Sequence, residues 1–204
     1  EIPLRLVGSE MCIRDSLPSG ELLMALSDGM GSGTSAFDDS KNVIELLEQM
    51  SEAGFSQTSA IRLINSLYVS DQEFENYATL DISLINLYKG ECSFLKNGAV
   101  GTYVLNQGKM YCIEGQSLPM GVVSDAEPYI GKMSLYPGDY VIMMTDGVAD
   151  MFSQERYNLE KFIKQIEIVN PGDMAQAIVD EAVSRNKGTV SDDMSVIVAG
   201  VWEN

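Results

Sequence analysis

The sequence predicts an α+β fold, a sandwich of two mainly antiparallel sheets flanked by helices. Three observations point there. Short apolar or alternating runs bounded by glycine-bearing turns crowd the stretch between residues 78 and 144. Helical periodicity is concentrated in residues 34–69 and 173–185. The resulting order (strand, two helices, many strands, helices, strand) lacks the regular strand–helix alternation of a doubly wound parallel sheet.

Residues 1–16, EIPLRLVGSEMCIRDS, show neither clean alternation nor a helical period. Glu21 to Ser27 reads as a short buried strand, because its nearly unbroken apolar run between Gly20 and Gly29 is too short for a typical helix. Past Gly33, Ala36, Val43, Leu47 and Met50 recur at helical spacing, with Asp38, Asp39, Lys41, Glu45 and Glu48 largely off that face and Gly54 as the stop. A second helix, Gln57 to Val69, carries Ala60, Ile61, Ile64, Leu67 and Tyr68. The ordinary use of such stripes is core packing.

In ATLDISLINLY, Leu80, Ile82 and Leu84 alternate with Thr79, Asp81 and Ser83, the period of a strand. ECSFLKNG, TYVLNQGKMYCIE and KMSLYPGDYVIMMTDG supply further strands, with a hairpin at Asn106–Lys109 and a tight turn at Pro137–Asp139. Asp173 is the expected cap of a helix running to Arg185, phased by Met174, Ala177, Ile178, Glu181 and Ala182. MSVIVAGVW closes the chain as a strand.

A chain of 204 residues with 45% hydrophobic and 21% charged content suits one globular domain. No apolar run approaches the roughly 20 residues of a membrane-spanning helix, and no signal-peptide pattern opens the sequence. Cys12, Cys92 and Cys112 are odd in number and widely spaced, which argues against a disulfide framework or a zinc site and for a cytoplasmic setting. The net charge of −17 repels a phosphate backbone, so nucleic acid is an unsuitable partner. Histidine is absent, which removes Ser-His-Asp and Cys-His catalysis and histidine zinc sites. A catalyst built from this chain relies on carboxylates, backbone, water and metal.

Two apolar runs end alike: Ser27-Asp28-Gly29 in LMALSDGM and Thr145-Asp146-Gly147 in IMMTDGV. A third carboxylate pair, Asp192-Asp193, directly precedes the last apolar strand. Asp-Gly is common turn chemistry, and that reading stands beside a second. If these ends meet, the clustered carboxylates repel one another unless a cation sits among them, and Mg²⁺ or Mn²⁺ prefers such oxygen donors. A glycine beside each Asp then lets a backbone carbonyl or a water approach the ion. The loop GMGSGTSA also offers backbone N–H groups to a phosphate, as in a nucleotide-binding enzyme, but it is neither a P-loop nor G-x-G-x-x-G.

With these residues assembled, the chain resembles the PP2C-like (PPM) serine/threonine phosphatases, and among them the phosphatase domain of the stage II sporulation protein E family. The resemblance rests on SDGMGSG and its following helix, ATLDISLINLYKGECSFLKNGAVGTYV, SLPMGVV, PGDYVIMMTDGV and SDDMSVIV, from about Leu17 to Trp202. It implies a PP2C-like αββα sandwich with a two-metal centre of Mn²⁺ or Mg²⁺. Its ligands would be Asp28, bridging both ions, the Gly29 carbonyl, Asp146 and Asp192, with Asp193 ranked lower because many relatives have Asn there. Asp28, Asp146 and Asp192 would act through a metal-activated water attacking phosphorus in line.

The resemblance also implies a phosphorylated anti-anti-sigma protein as substrate, a homodimer, and a cytoplasmic domain within a larger membrane-anchored protein. The helices from about Ser35 to Val69 match an element that switches the Gly29–Gly33 loop. Other readings are a catalytically impaired regulatory or binding module on the same fold and a stress-response phosphatase of the same superfamily.

Two departures stand out. Met30 occupies the position where many relatives place a histidine acid, so leaving-group protonation falls to water or another group. Relatives carry a Gly-Asp before the first strand, whereas here Asp15 follows Arg14 and stands too close to Asp28. Residues 1–16 therefore read as an artefact or a foreign junction and 17–204 as the phosphatase domain, with no role assigned to Asp15.

Overall fold

The computed structural model describes residues 4–5, 11–17, 19–29, 34–70, 77–86, 88–153, 157–166, 169–186 and 193–202. In chain order its elements are β1 Leu4–Arg5, β2 Met11–Ser16, β3 Glu21–Gly29, α1 Thr34–Glu52, α2 Gln57–Ser70, β4 Ala78–Asn86, β5 Glu91–Asn97, β6 Thr102–Asn106, β7 Lys109–Ile113, β8 Tyr129–Ser134, β9 Tyr140–Met144, α3 Asp146–Ser153, α4 Tyr157–Gln165, α5 Pro171–Arg185 and β10 Val196–Gly200. The strands form two five-stranded sheets, ordered β2-β3-β4-β5-β8 and β1-β10-β9-β6-β7, with every strand pairing antiparallel. Chain contacts cluster into two compact units, and each holds one of the sheets.

The unit of residues 9–99 and 115–134 is built on β3 and β4, paired from Glu21↔Asn86 to Gly29↔Ala78. Alternation sorts the side chains. Leu23 and Ala25 of β3, Leu80 and Ile82 of β4 and Leu95 of β5 are buried in one cluster with Val43, Leu47, Ile61 and Ile64 of α1 and α2. The helices are joined as expected at Gly54, whose φ of +85° favours glycine. Tyr68 of α2 donates its phenol to the Asp39 carbonyl of α1 at 2.7 Å, and burial first, then the Asp39 charge, pushes its pKa up.

Buried Asn65 ties α2 to the chain leading into β8. Its amide nitrogen donates to the Val123 and Ser124 carbonyls at 2.8 and 3.0 Å, and its oxygen accepts the Gly121 N–H at 2.9 Å.

The unit of residues 1–8, 100–114 and 135–204 has its own core. Ile142, Met144, Val196 and Val198 pack with Val148 and Phe152 of α3, Leu159 and Ile163 of α4 and Met174, Ile178 and Ala182 of α5. The β6–β7 turn has φ of +49° at Gln107 and +75° at Gly108, the two positive values of a type I′ hairpin. Gly138 follows Pro137 with φ +91°, and the Asp139 N–H donates to the Tyr136 carbonyl at 3.0 Å, as a type II turn requires.

Asp139 joins these turns. Its carboxylate accepts from the Asn106 side chain, the Gln107 N–H and the Tyr136 N–H, each at 2.7 Å, while 1% exposed.

The structure departs from the sequence reading at four places. Met11–Ser16 pairs along β3 and Leu4–Arg5 along β10, within the stretch that shows no periodicity. The cap of α5 is Asn170, whose side chain accepts from the Gly172 and Asp173 N–H groups ahead of Pro171, so Asp173 lies in the first turn. The last strand is Val196–Gly200, shorter than Met194–Trp202. Finally, Asp146 begins an eight-residue helix, α3, which is too short for its periodicity to stand out.

Asp139→Ala leaves three donors without their acceptor. It is expected to lower unfolding free energy by about 3 kcal/mol in urea titrations, whereas exposed Asp125→Ala should change it by less than about 0.5 kcal/mol.

Candidate functional site

The apolar run of β3 is buried from Leu22 to Ser27 and becomes half-buried only at Asp28 and Gly29. Hydroxyls fasten this end to the start of β4. The Asp28 N–H donates to Thr79 Oγ1 at 3.2 Å, Thr79 Oγ1 donates to the Asp28 carbonyl at 3.3 Å, and Ser27 Oγ donates to the Thr79 carbonyl at 2.9 Å. Asp28 is thus set by backbone pairing, on the alternation face opposite to that of Leu23 and Ala25.

Gly29 has a packing reason to be glycine. A Cβ there would lie 2.2 Å from the Ala36 carbonyl oxygen of α1, a clash that no side chain shift relieves. The same oxygen accepts from Ser40 Oγ at 3.0 Å, so it is held from both sides. Beside the reading of this glycine from the sequence, the structure adds that a helix backbone packs against it. Met30, Gly31 and Gly33 lie outside the described residues, and so does the loop of the phosphate-binding reading.

In the other unit, buried Thr145 organises the corresponding end. Its Oγ1 donates to the Asp193 carbonyl at 3.2 Å and accepts the Ser195 N–H at 3.0 Å, and its own N–H donates to the Ser195 carbonyl at 3.1 Å. Its carbonyl accepts from Val148 and Ala149 at 3.2 and 2.9 Å, opening α3. Asp146 is the first residue of that helix, exposed, with Oδ1 accepting the Gly147 N–H at 2.8 Å.

The pairing Val196↔Met144 sets the end of β9 beside the start of β10, so Asp146 and Asp193 share one sheet end. Asp28 stands at the end of β3 in the other sheet. Asp192 lies outside the described residues. Among the described residues no group of three or more Cys, Asp or Glu side chains is gathered to hold a metal ion.

The donors nevertheless suit a hard divalent cation. Asp28, Asp146 and Asp193 offer oxygen only, and among the described residues no Lys or Arg pairs with Asp146. Asp15 pairs opposite Leu23, five positions from Asp28 along β3, so it does not stand at that strand's acidic end.

Comparison with known proteins shows the family of the chain. Residues 18–202 match the family model of stage II sporulation protein E. Stage II sporulation protein E of Priestia megaterium is 31% identical over 191 residues, covering 92% of this chain and 33% of that protein. The chain therefore spans about a third of the length of that curated relative.

Among solved structures, the PP2C phosphatase domain of SpoIIE from Bacillus subtilis, with a fragment of its regulatory domain, is 28% identical. It superposes with a TM-score of 0.89 over 98% of this chain and 59% of that one. The catalytic domain of the serine/threonine phosphatase PstP, in complex with two manganese ions, is 18% identical with a TM-score of 0.79, covering 100% of this chain and 98% of that one. The fold is accordingly the PP2C-like fold expected from the sequence.

Two substitutions test the local construction. Gly29→Ala is expected to push α1 off the strand end and cost about 2 kcal/mol in denaturant unfolding. Thr145→Val leaves the Ser195 N–H without its hydroxyl partner and should cost about 1–2 kcal/mol, with Thr145→Ser recovering most of it.

Proposed function

We propose, from the premise that this chain belongs to the stage II sporulation protein E family, that it is a metal-dependent phosphatase acting on phosphoserine or phosphothreonine in proteins. The observation that carries the reading is the pair of acidic strand ends, Asp28 on β3 and Asp146 with Asp193 at β9 and β10, inside a family match running from 18 to 202. Mn²⁺ or Mg²⁺, two ions per site, would be held by Asp28, the Gly29 carbonyl, Asp146 and Asp192, with Asp193 as the lesser ligand. When bound, the ions supply Lewis acidity toward the phosphoryl oxygens and lower the pKa of attacking water.

The chain's own residues prepare for that chemistry. Thr79 fixes the Asp28 backbone through both its N–H and its carbonyl. The Gly147 N–H pins one oxygen of Asp146. Thr145 holds the chain at Asp193 beside Asp146. Without any histidine, proton transfer to the leaving serine falls to water or to a carboxylic acid, which places the whole burden on charge positioning.

The proposed substrate is a phosphorylated anti-anti-sigma protein, whose dephosphorylation releases a sporulation sigma factor. Residues 17–204 constitute the phosphatase domain, residues 1–16 are a foreign junction, and the domain works as a homodimer on the cytoplasmic side of a larger membrane-anchored protein. Among the described residues no helix is long and apolar enough to cross a membrane. Packing of the Ala36 carbonyl on Gly29 supports a switch role for α1 and α2, since displacing the helix frees the Gly29 backbone.

One observation favours a second reading, a catalytically impaired module of the same fold: Asp15 stands opposite Leu23 and not at the Asp28 end. Hydrolysis of a phosphoserine anti-anti-sigma protein across a Mn²⁺ titration separates the two. The phosphatase reading expects metal-dependent turnover that falls at least about 100-fold in Asp146→Asn. Turnover absent at every Mn²⁺ concentration, or unchanged in Asp146→Asn, overturns it.

A further inference from the structure

A second charged feature lies on the same sheet face as Asp28. Lys96 Nζ donates to Asp81 Oδ2 at 2.7 Å, with side-chain exposures of 0% and 3%. The register fixes where this pair stands. Asp28 faces Thr79, Asp81 lies two residues further along β4, and Lys96 faces Asp81 from β5. Residues two apart share a face, so Asp28, Thr79, Asp81 and Lys96 lie on one side of the sheet, while Leu80, Ile82 and Leu95 meet α1 and α2 on the other. Diagonal neighbours of this kind stand roughly 7–8 Å apart, which sets Asp81 next to Asp28 with Lys96 one strand beyond.

A buried ion pair of this kind is a weak device for stability. Its desolvation cost matches or exceeds its Coulombic gain, and apolar pairs of similar size commonly do as well or better. What the pair does supply is direction. Its negative end is turned toward the strand that bears Asp28, and its positive end is held one strand away. The Cys92 thiol, on the same face of β5, feels that fixed charge: burial first and the Asp81 carboxylate second push its pKa up.

We propose that Asp81, held in place by Lys96, is a positioning residue that raises the affinity of the Asp28 strand end for a divalent cation without itself coordinating it. This rests on the reading of Asp28 as a metal ligand. Lys96 has two tasks in it. It fixes the carboxylate's orientation, and it balances the charge of a carboxylate that is itself buried.

The test is Mn²⁺ affinity by calorimetry on the cation-free protein, with Tm measured in parallel, for four chains: the parent, Asp28→Asn, the apolar pair Asp81→Leu with Lys96→Met, and the exchanged pair Asp81→Lys with Lys96→Asp. The apolar pair is expected to keep or raise Tm and to weaken Mn²⁺ binding about tenfold, in the range of outer-shell substitutions. The exchanged pair keeps a buried ion pair but turns its positive end toward Asp28, and should weaken binding further. Parent-like Mn²⁺ affinity in the exchanged pair overturns the proposal, because a purely structural pair tolerates exchange. If Asp28→Asn itself binds Mn²⁺ like the parent, the metal-ligand reading fails and the positioning role falls with it. Loss in Asp28→Asn with no loss in either pair variant overturns the positioning role alone.

Discussion

The antiparallel register of β3 on β4 is the constraint on which one half of this molecule depends. A shift of a single residue would send every side chain to the opposite face. Asp28 would then point at the helices, and Leu23 and Ala25 would leave the cluster that holds α1 and α2. The register is pinned at its acidic end by three hydroxyl hydrogen bonds from Ser27 and Thr79, and α1 closes on Gly29 too tightly for any side chain. Helix placement, strand pairing and the position of one carboxylate are therefore a single geometric fact.

The other half solves a similar problem with different chemistry. There a buried threonine hydroxyl, not a long register, holds two strand ends level, and the helix that starts at Asp146 grows from the carbonyl of the same residue. Asp139 performs the matching task at the far end, gathering two turns by their donors. In both places a buried polar group is kept because it gathers backbone N–H groups from separate segments, which is where buried polarity contributes most to a unique structure.

Acidity without histidine gives the proposed chemistry its character. With 30 acidic residues and no imidazole, the chain has no neutral-pH proton shuttle of the usual kind, and its functional capacity lies in where carboxylates are put. Membership of the stage II sporulation protein E family and the PP2C-like fold agree with such a chain. The Asp81–Lys96 pair extends the same logic one layer back, since both its charges share a sheet face with Asp28.

Much of this was legible in the residues. Alternation in ATLDISLINLY, the helical stripes after Gly33 and Gln57, and the turns at Asn106–Lys109 and Pro137–Asp139 all declare local geometry, because short-range sterics and the split between water and core act on neighbouring residues. The acidic strand ends were visible for the same reason, as polar residues breaking apolar runs. Other features were decided only by tertiary structure. Met11–Ser16 becomes a strand because β3 offers an open edge, not because its own pattern alternates. Asn170 rather than Asp173 caps α5 because the chain direction there presents the Gly172 N–H to it. Gly29 is glycine because a helix from beyond the loop lays its backbone on it, and Asp81 meets Lys96 because two strands pair in one register. Each of these depends on which distant segment arrives next to a residue, and that is a property of the folded chain, not of the local sequence.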